Sequence, residues 1–141
     1  LSLRIMGLDV GEKRIGVAVS DPLGWTAQGI GVIRGDQPRA QIMEQLKKLV
    51  QEYRVERIVV GLPRNMNGTL GKQGQRVLDF AREIGAELEL PVETWDERLS
   101  TASAEKVLLS ADLSRARRRK IIDKMAAVII LQSYLDSRFR S

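Results

Sequence analysis

Hydrophobic and polar positions change their period several times along the chain. Residues 3–10, 13–20 and about 26–34 are short runs rich in Ile, Leu and Val, the first two separated by the turn Gly11-Glu12-Lys13. They predict three strands joined as an antiparallel meander. Asp36 and Pro38 then stand where a helix start is expected. Ile42, Met43, Leu46, Leu49, Val50 and Tyr53 follow with a 3.6-residue period, which predicts an amphipathic helix. Arg57-Ile58-Val59-Val60-Gly61-Leu62 has no alternation, the pattern of a parallel strand buried on both faces. After a Gly, Asn and Pro-rich loop at 61–69, a helix is predicted from about Lys72 to Glu87, burying Val77, Leu78, Ala81 and Ile84. Val92 to Asp96 alternates as a short edge strand does. Ser100 or Thr101 can cap a further helix. A last helix is predicted from about Ser114 to Asp136, apolar nearly all round from Met125 to Leu131 and therefore central to the packing.

The predicted order is β-β-β-α-β-α-β-α-α. Connection rules set the first strand between the meander and the two later parallel strands. The expected fold is α/β, a five-stranded mixed sheet flanked by helices. With no internal repeat, low-complexity tract or linker, residues 1–141 are expected to form one domain.

Composition narrows the chemistry. The 141 residues include no cysteine, which removes disulfides, thiolate catalysis and thiolate zinc sites. They include no histidine either, so the usual general base and the Ser-His-Asp arrangement are absent. Carboxylates, lysines and arginines remain, and carboxylates with water suit Mg2+ or Mn2+. A net charge of +5 favours a polyanionic partner. Much of the positive charge is crowded into Arg115, Arg117, Arg118, Arg119 and Lys120. At 4% aromatic residues, a platform that stacks successive bases is not expected, so backbone reading fits better than base reading. No apolar stretch reaches the ~20 residues of a membrane span and no signal-peptide pattern is seen, which makes the cytoplasm the expected location.

Three acidic positions stand out. Asp9 interrupts the apolar run Ile5-Met6-Gly7-Leu8, where burying a carboxylate is costly without partners. Asp96-Glu97 falls where a strand gives way to a helix. Asp123 lies more than two turns inside a helix that otherwise buries itself, and Ala126 and Ala127 on the same face would let that helix approach the sheet. Carboxylates converging from a strand, a loop and a helix would repel one another unless cations lay between them. Two magnesium ions about 4 Å apart can activate water and stabilise the leaving oxygen of a phosphodiester.

Each acid also has an ordinary reading. Asp9 can hold the hairpin through a local hydrogen bond. Glu97 can pair with Arg98 or sit at the positive start of a helix. Asp123 can pair with Lys120 or Lys124, and the basic stretch can be a solvated helix start. Gly68-Thr69-Leu70-Gly71-Lys72 is not a P-loop, because Met66 stands where its first glycine belongs and Gln73 replaces the Ser or Thr. It can still offer a weaker anion site, since it enters a helix N-terminus carrying Lys72 and Arg76.

The combination of motifs is more specific than any one of them. Asp9-Val10-Gly11 with Arg14-Ile15-Gly16-Val17-Ala18, Gly61-Leu62-Pro63 with Asn67-Gly68-Thr69, Asp96-Glu97-Arg98-Leu99-Ser100-Thr101, and Ile122-Asp123-Lys124-Met125-Ala126-Ala127 with Ile130-Leu131-Gln132 resemble the YqgF (RuvX) family, in that family's order and over essentially the whole chain. The resemblance implies a ribonuclease H-like fold and a nuclease of pre-16S ribosomal RNA, or by the family's older label a Holliday junction resolvase similar to RuvC. It implies that Asp9, Glu97 and Asp123 are the catalytic, metal-holding acids. One departure from RuvC matters: the fourth strand ends in Gly61-Leu62-Pro63 where RuvC carries an acid. The second carboxylate must then come from Glu97, reaching over Gly61.

The expected function is metal-dependent hydrolysis of structured RNA, with pre-16S rRNA or a pre-ribosomal particle as partner and the protein a monomer or homodimer. Asp9 would bridge two metals, and Glu97 and Asp123 would complete one site each. Lys13, Arg14, Lys72, Arg98, Arg117, Arg118, Arg119 and Lys120 would hold phosphates, supplying affinity without sequence information. A junction resolvase acting on branched DNA is the alternative within the same chemistry, and it would need a dimer to cut two strands symmetrically. An actin-type ATPase shares the Asp-x-Gly hairpin but needs two copies of the fold. A non-catalytic RNA-binding factor in ribosome biogenesis predicts that the acids do not converge.

Overall fold

A computed structural model describes residues 4–101 and 115–139, with side chains described through 101 and from 121 to 138. The strands are β1 (Arg4–Val10), β2 (Arg14–Ser20), β3 (Ala27–Arg34), β4 (Val55–Leu62) and β5 (Val92–Asp96). The helices are α1 (Arg39–Tyr53), α2 (Lys72–Leu88) and α3 (Arg115–Phe139), and a single 3-10 turn covers Glu97–Leu99. The helix expected after Ser100 or Thr101 falls outside the described residues.

The sheet order is β3-β2-β1-β4-β5, with β1 in the middle as the connection rules require. β1 pairs antiparallel with β2 and parallel with β4, and β4 pairs parallel with β5. This is an α/β fold with a mixed sheet and helices on both faces.

Strand alternation sends β1 side chains to two different layers. Met6 and Leu8 join Val17, Ile58 and Val60 in the larger core under α1 and α2. Ile5 points the other way, with Ala18 and Val59, against Ala127, Leu131, Tyr134 and Leu135 of α3. α1 contributes Ile42, Met43 and Leu46 to the first core and α2 contributes Val77, Phe80, Ala81 and Ile84. Phe80 was not among the positions expected to be buried, and Leu78 is only partly so.

Two details depart from expectation. Pro38 occupies the N-cap of α1 with no side-chain capping bond, while Asp36 accepts from Arg34 instead. α3 is less uniformly buried than its composition suggests: Ala126, Ala127, Ile130 and Leu131 are inside, but Met125 is 40% exposed. Among the described residues, no helix is long and apolar enough to cross a membrane.

Candidate active site

Asp9 lies two residues beyond Gly7 on β1, so its side chain shares the face covered by α3. It is buried, at 5% exposure, in an otherwise apolar strand. Its register neighbour on β2 is Gly16. On β4, Leu8 pairs with Val60, so the next step along the parallel register sets Gly61 beside Asp9. A row across the sheet therefore reads Gly16, Asp9, Gly61.

Each glycine makes room for another acid. A Cβ at Gly16 would overlap the main-chain carbonyl of Asp123, so α3 rests its backbone directly on β2 there. A Cβ at Gly61 would lie 2.5 Å from Ile130 Cδ1 and 3.3 Å from Glu97 Cγ. Glu97 is thus seated over Gly61, as the reach over the end of β4 required, and is itself buried at 9% exposure. Gly7 completes the surface: a Cβ there would meet Leu131 Cβ at 2.7 Å and the Ala127 carbonyl at 3.3 Å. Small residues on both the sheet and the helix bring Asp123 down to the strand ends.

Asp96 and Glu97, adjacent in sequence, have separate tasks. Asp96 caps the 3-10 turn by accepting from the Arg98 N–H, and it takes further bonds from the Arg98 guanidinium at 2.7–3.1 Å. Arg64 approaches it at 3.8 Å. The Arg98 side chain, aided by the Arg98 N–H, holds the Asp96 carboxyl below the ordinary value of 3.8. Arg98 therefore pairs with Asp96 and not with Glu97, and its remaining reach goes to the Met66 carbonyl at 3.4 Å. Between the two acids, Glu97 is the one that lies over Gly61 on the α3 face of the sheet.

Asp123 pairs with Arg14, whose Nε donates to Asp123 Oδ2 at 2.6 Å, while the Lys120 side chain lies outside those described. The pair joins the start of β2 to α3 across 109 positions of sequence. Helical spacing could not have found it. Arg14 and Gly16 share the α3 face by alternation, so the seat of Asp123 over Gly16 brings its carboxylate to Arg14.

The other expected phosphate-binding residues are spread about this end of the sheet. Lys13 is exposed in the β1–β2 turn, Lys72 is exposed at the first position of α2, and Arg98 is exposed beside Glu97. Arg117, Arg118, Arg119 and Lys120 lie in the first turns of α3, with side chains outside those described. Gln73 donates to the Val10 carbonyl at 3.1 Å and ties the start of α2 to the strand that carries Asp9. Asn65, Asn67 and Thr69 close the loop before α2 through mutual hydrogen bonds.

The donors suit a hard divalent cation: two buried carboxylates on one face and a third beside them. The space over the glycine row is taken by the Asp123 main chain above Gly16 and by Ile130 and the Glu97 stem above Gly61. As they stand, no three acidic side chains among the described residues surround a common point, and Asp123 is engaged with Arg14. As buried carboxylates, Asp9 and Glu97 have the donor chemistry that a hard divalent ion takes.

A mixed sheet in this order with helices on both faces defines a ribonuclease H-like fold. Solved structures share the architecture. Thermus thermophilus RuvC in complex with a Holliday junction substrate superposes with a TM-score of 0.56 at 15% identity, covering 96% of this chain and 95% of that one. The fowlpox virus Holliday junction resolvase gives 0.52 at 14%, covering 95% and 99%. The family model described as "RuvX: Holliday junction resolvase" matches residues 3–137, and the chain belongs to that family. A protein of Desulforamulus reducens named "Putative pre-16S rRNA nuclease" is 61% identical over 135 residues, 96% of this chain and 98% of its own length. Proteins with the same name from Pelotomaculum thermopropionicum and Clostridium novyi are 59% and 55% identical over 98% and 96% of this chain, and over 90% and 99% of their own lengths.

Proposed function

We propose that this protein is a metal-dependent nuclease that hydrolyses phosphodiester bonds in structured RNA, and that its substrate is the immature 5′ end of small-subunit ribosomal RNA. The observation that carries the reading is the row Gly16, Asp9, Gly61, with Asp123 and Glu97 seated over the two glycines. Strand glycines on both sides of a buried aspartate are unfavourable to the sheet, which supports a functional reason for the row. The names of relatives at 55–61% identity supply the RNA class.

Asp9 and Glu97 form the heart of a magnesium or manganese site, with Asp123 as the third acid. The chemistry such an ion supplies is polarisation of a phosphoryl oxygen and a water acidic enough to attack at neutral pH. The overall step is hydrolysis: the water oxygen bonds to phosphorus, the bond to one ribose oxygen breaks, and one proton passes to that leaving oxygen while the other goes to solvent. No histidine is present to carry those protons. The buried acids fix where the reacting phosphate must sit. Lys13, Lys72 and Arg98 stand exposed around the site to hold flanking phosphates, which binds backbone and shape more than base identity.

The test offers precursor small-subunit RNA and a four-way DNA junction to one preparation under matched magnesium, manganese and salt. Cutting near the immature 5′ end of the RNA, without paired symmetric nicks in the junction, is the expected result. Symmetric junction cleavage with the RNA untouched would overturn the assignment in favour of a resolvase.

A further inference from the structure

We propose that a cleft on the α1–α2 face of the sheet, behind the β1–β2 turn, binds one nucleotide, and that its occupant is an unpaired nucleotide of the RNA strand being cut. The source of that nucleotide rests on the nuclease reading, while the cleft is built from other residues.

The cleft opens where the starts of α1 and α2 meet the end of β1, and its volume is about 350 Å3. Small-ligand sites begin at roughly 300 Å3 and combine an apolar lining with a few placed polar groups. Here Ile15 from β2, Ile42 from α1, and Val77 and Phe80 from α2 form the apolar lining. A flat base laid against it takes apolar surface out of water. Val10 also lines the cleft, one residue past Asp9 and turned by strand alternation to the opposite face. An RNA strand leaving the acidic side at the end of β1 therefore reaches the cleft by passing the Gly11-Glu12-Lys13 turn, where Lys13 stands exposed to meet a phosphate.

The charged groups lining the cleft are Arg39, Arg76 and Glu12. The Arg39 guanidinium carbon lies 4.4 Å from the centre of the Phe80 ring, and Glu83 is 3.4 Å from Arg39 Nε. Arg76 is 3.3 Å from Glu12. Both ion pairs are longer than the about 2.7–2.9 Å of a strong charge-assisted bond. Their side chains are 47–68% exposed, so neither pair contributes much and a phosphate oxygen can take either guanidinium at little cost. The planar guanidinium of Arg39 also presents a face on which a base can stack. Glu12 can accept from the N–H groups of a base edge. Gln73 donates its Nε2 hydrogen to the Val10 carbonyl, which leaves its amide oxygen to accept in the same way. Arg76, expected with Lys72 at a weaker anion site, serves on the side of α2 that carries Val77 and Phe80 into this cleft.

Binding is measured on the purified full chain in EDTA, where no cleavage competes. Amide proton–nitrogen NMR spectra are titrated with nucleoside 5′-monophosphates and, separately, with inorganic phosphate. Shifts at Gly11, Gly35 and Gln37 that saturate in the millimolar range with a nucleotide, and not with phosphate, are expected. A stem-loop RNA with an unpaired extension should bind about fivefold or more tighter than the same RNA whose extension is abasic, the lower end of what one stacked base contributes. Arg39→Gln combined with Arg76→Gln should remove that preference and leave Tm within about 4 °C. Arg39→Lys should keep the salt dependence and lose part of the preference. No shift with any nucleotide, equal shifts with phosphate, or a preference that survives the double substitution would overturn the proposal. Shifts with a free nucleotide but no preference for the extension with bases would overturn the strand as source and assign the cleft to a free nucleotide. Cleavage of precursor RNA by the parent in magnesium, read separately, decides the nuclease reading whichever way the binding falls.

Discussion

Gly16→Ala tests whether α3 is seated on β2 as described. A Cβ there would lie 2.5 Å from the Asp123 carbonyl carbon and nearer still to its oxygen. Carbon atoms in contact prefer about 3.5 Å or more, so the helix must retreat by about 1 Å. Backbone meets backbone, and no rotamer change can relieve it. The cost belongs at the upper end of the overpacking range, about 3 kcal/mol. For a chain of this size that corresponds to a fall of roughly 10 °C in Tm. The same 1 Å carries Asp123 and Arg14 away from Asp9, and a displacement of that size can cost about 100-fold in rate. Gly71→Ala is the control. Its φ is −86°, and the nearest atom, Asn65 Oδ1, would be 3.7 Å from the added carbon. It should leave Tm within about 2 °C. The assay is thermal unfolding by circular dichroism beside cleavage of precursor RNA. A Gly16→Ala protein that melts with the parent and cuts as fast would refute the reasoning.

The remaining expectations concern single groups. Asp9→Asn keeps the side-chain volume and should reduce cleavage at least ~100-fold while the melting curve barely moves; parent-like rates in magnesium or manganese would remove the metal from the mechanism. Gly61→Ala meets the flexible tip of Ile130 and only brushes Glu97, so it should cost activity more than stability, the reverse weighting to an ordinary core substitution. Asp96→Asn keeps an oxygen that can cap the 3-10 turn but loses the carboxylate's ion pair with Arg98, and should lower Tm by roughly 3 °C at pH 7. Because the folded carboxyl titrates below its unfolded value, that difference should persist down to about pH 4 to 5 and vanish as pH falls through the folded value, which melts at stepped pH would read. Replacing Arg117, Arg118 and Arg119 together with Ala should weaken binding of unrelated RNA sequences alike and flatten the salt dependence by up to ~0.9 per lost contact, and an unchanged slope would make the stretch a solvated helix start.

The fold was legible because its signals are local. The meander, the 3.6-residue stripe of α1 and the unbroken run of β4 each follow from periods of two or 3.6, and the connection rules then leave one position for β1. Asp9 was legible for a related reason, since a charge in an apolar strand is visible in a window of eight residues. The choice between Asp96 and Glu97 was not open to such reasoning. The two are neighbours, and only the strand's alternation, carried one residue past its end, turns Asp96 to Arg98 and Glu97 to the site. The partner of Asp123 was further out of reach. Helical spacing offers Lys120 and Lys124, while Arg14 becomes a neighbour only once α3 crosses the sheet. Gly16 reads in sequence as a weak point in a strand, although it is the point on which that crossing rests.

The two faces of the sheet obey different rules, and the difference separates stability from function. Toward α1 and α2 the strands present Met6, Leu8, Val17, Ile58 and Val60, residues that suit a packed core. Toward α3 the same strands present Gly7, Gly16 and Gly61, each less favourable in a strand than Ala by about 0.5–1 kcal/mol, together with a buried Asp9. Larger apolar residues at those three positions would suit a strand better but would clash with α3 at its present distance. They would also lift Asp123 and Arg14 off the row that holds Asp9, and push Glu97 from the end of β4. The close approach of α3 is what the proposed site would require, and a search for stabilising substitutions should find its gains on the α1–α2 face and its losses of activity on the other.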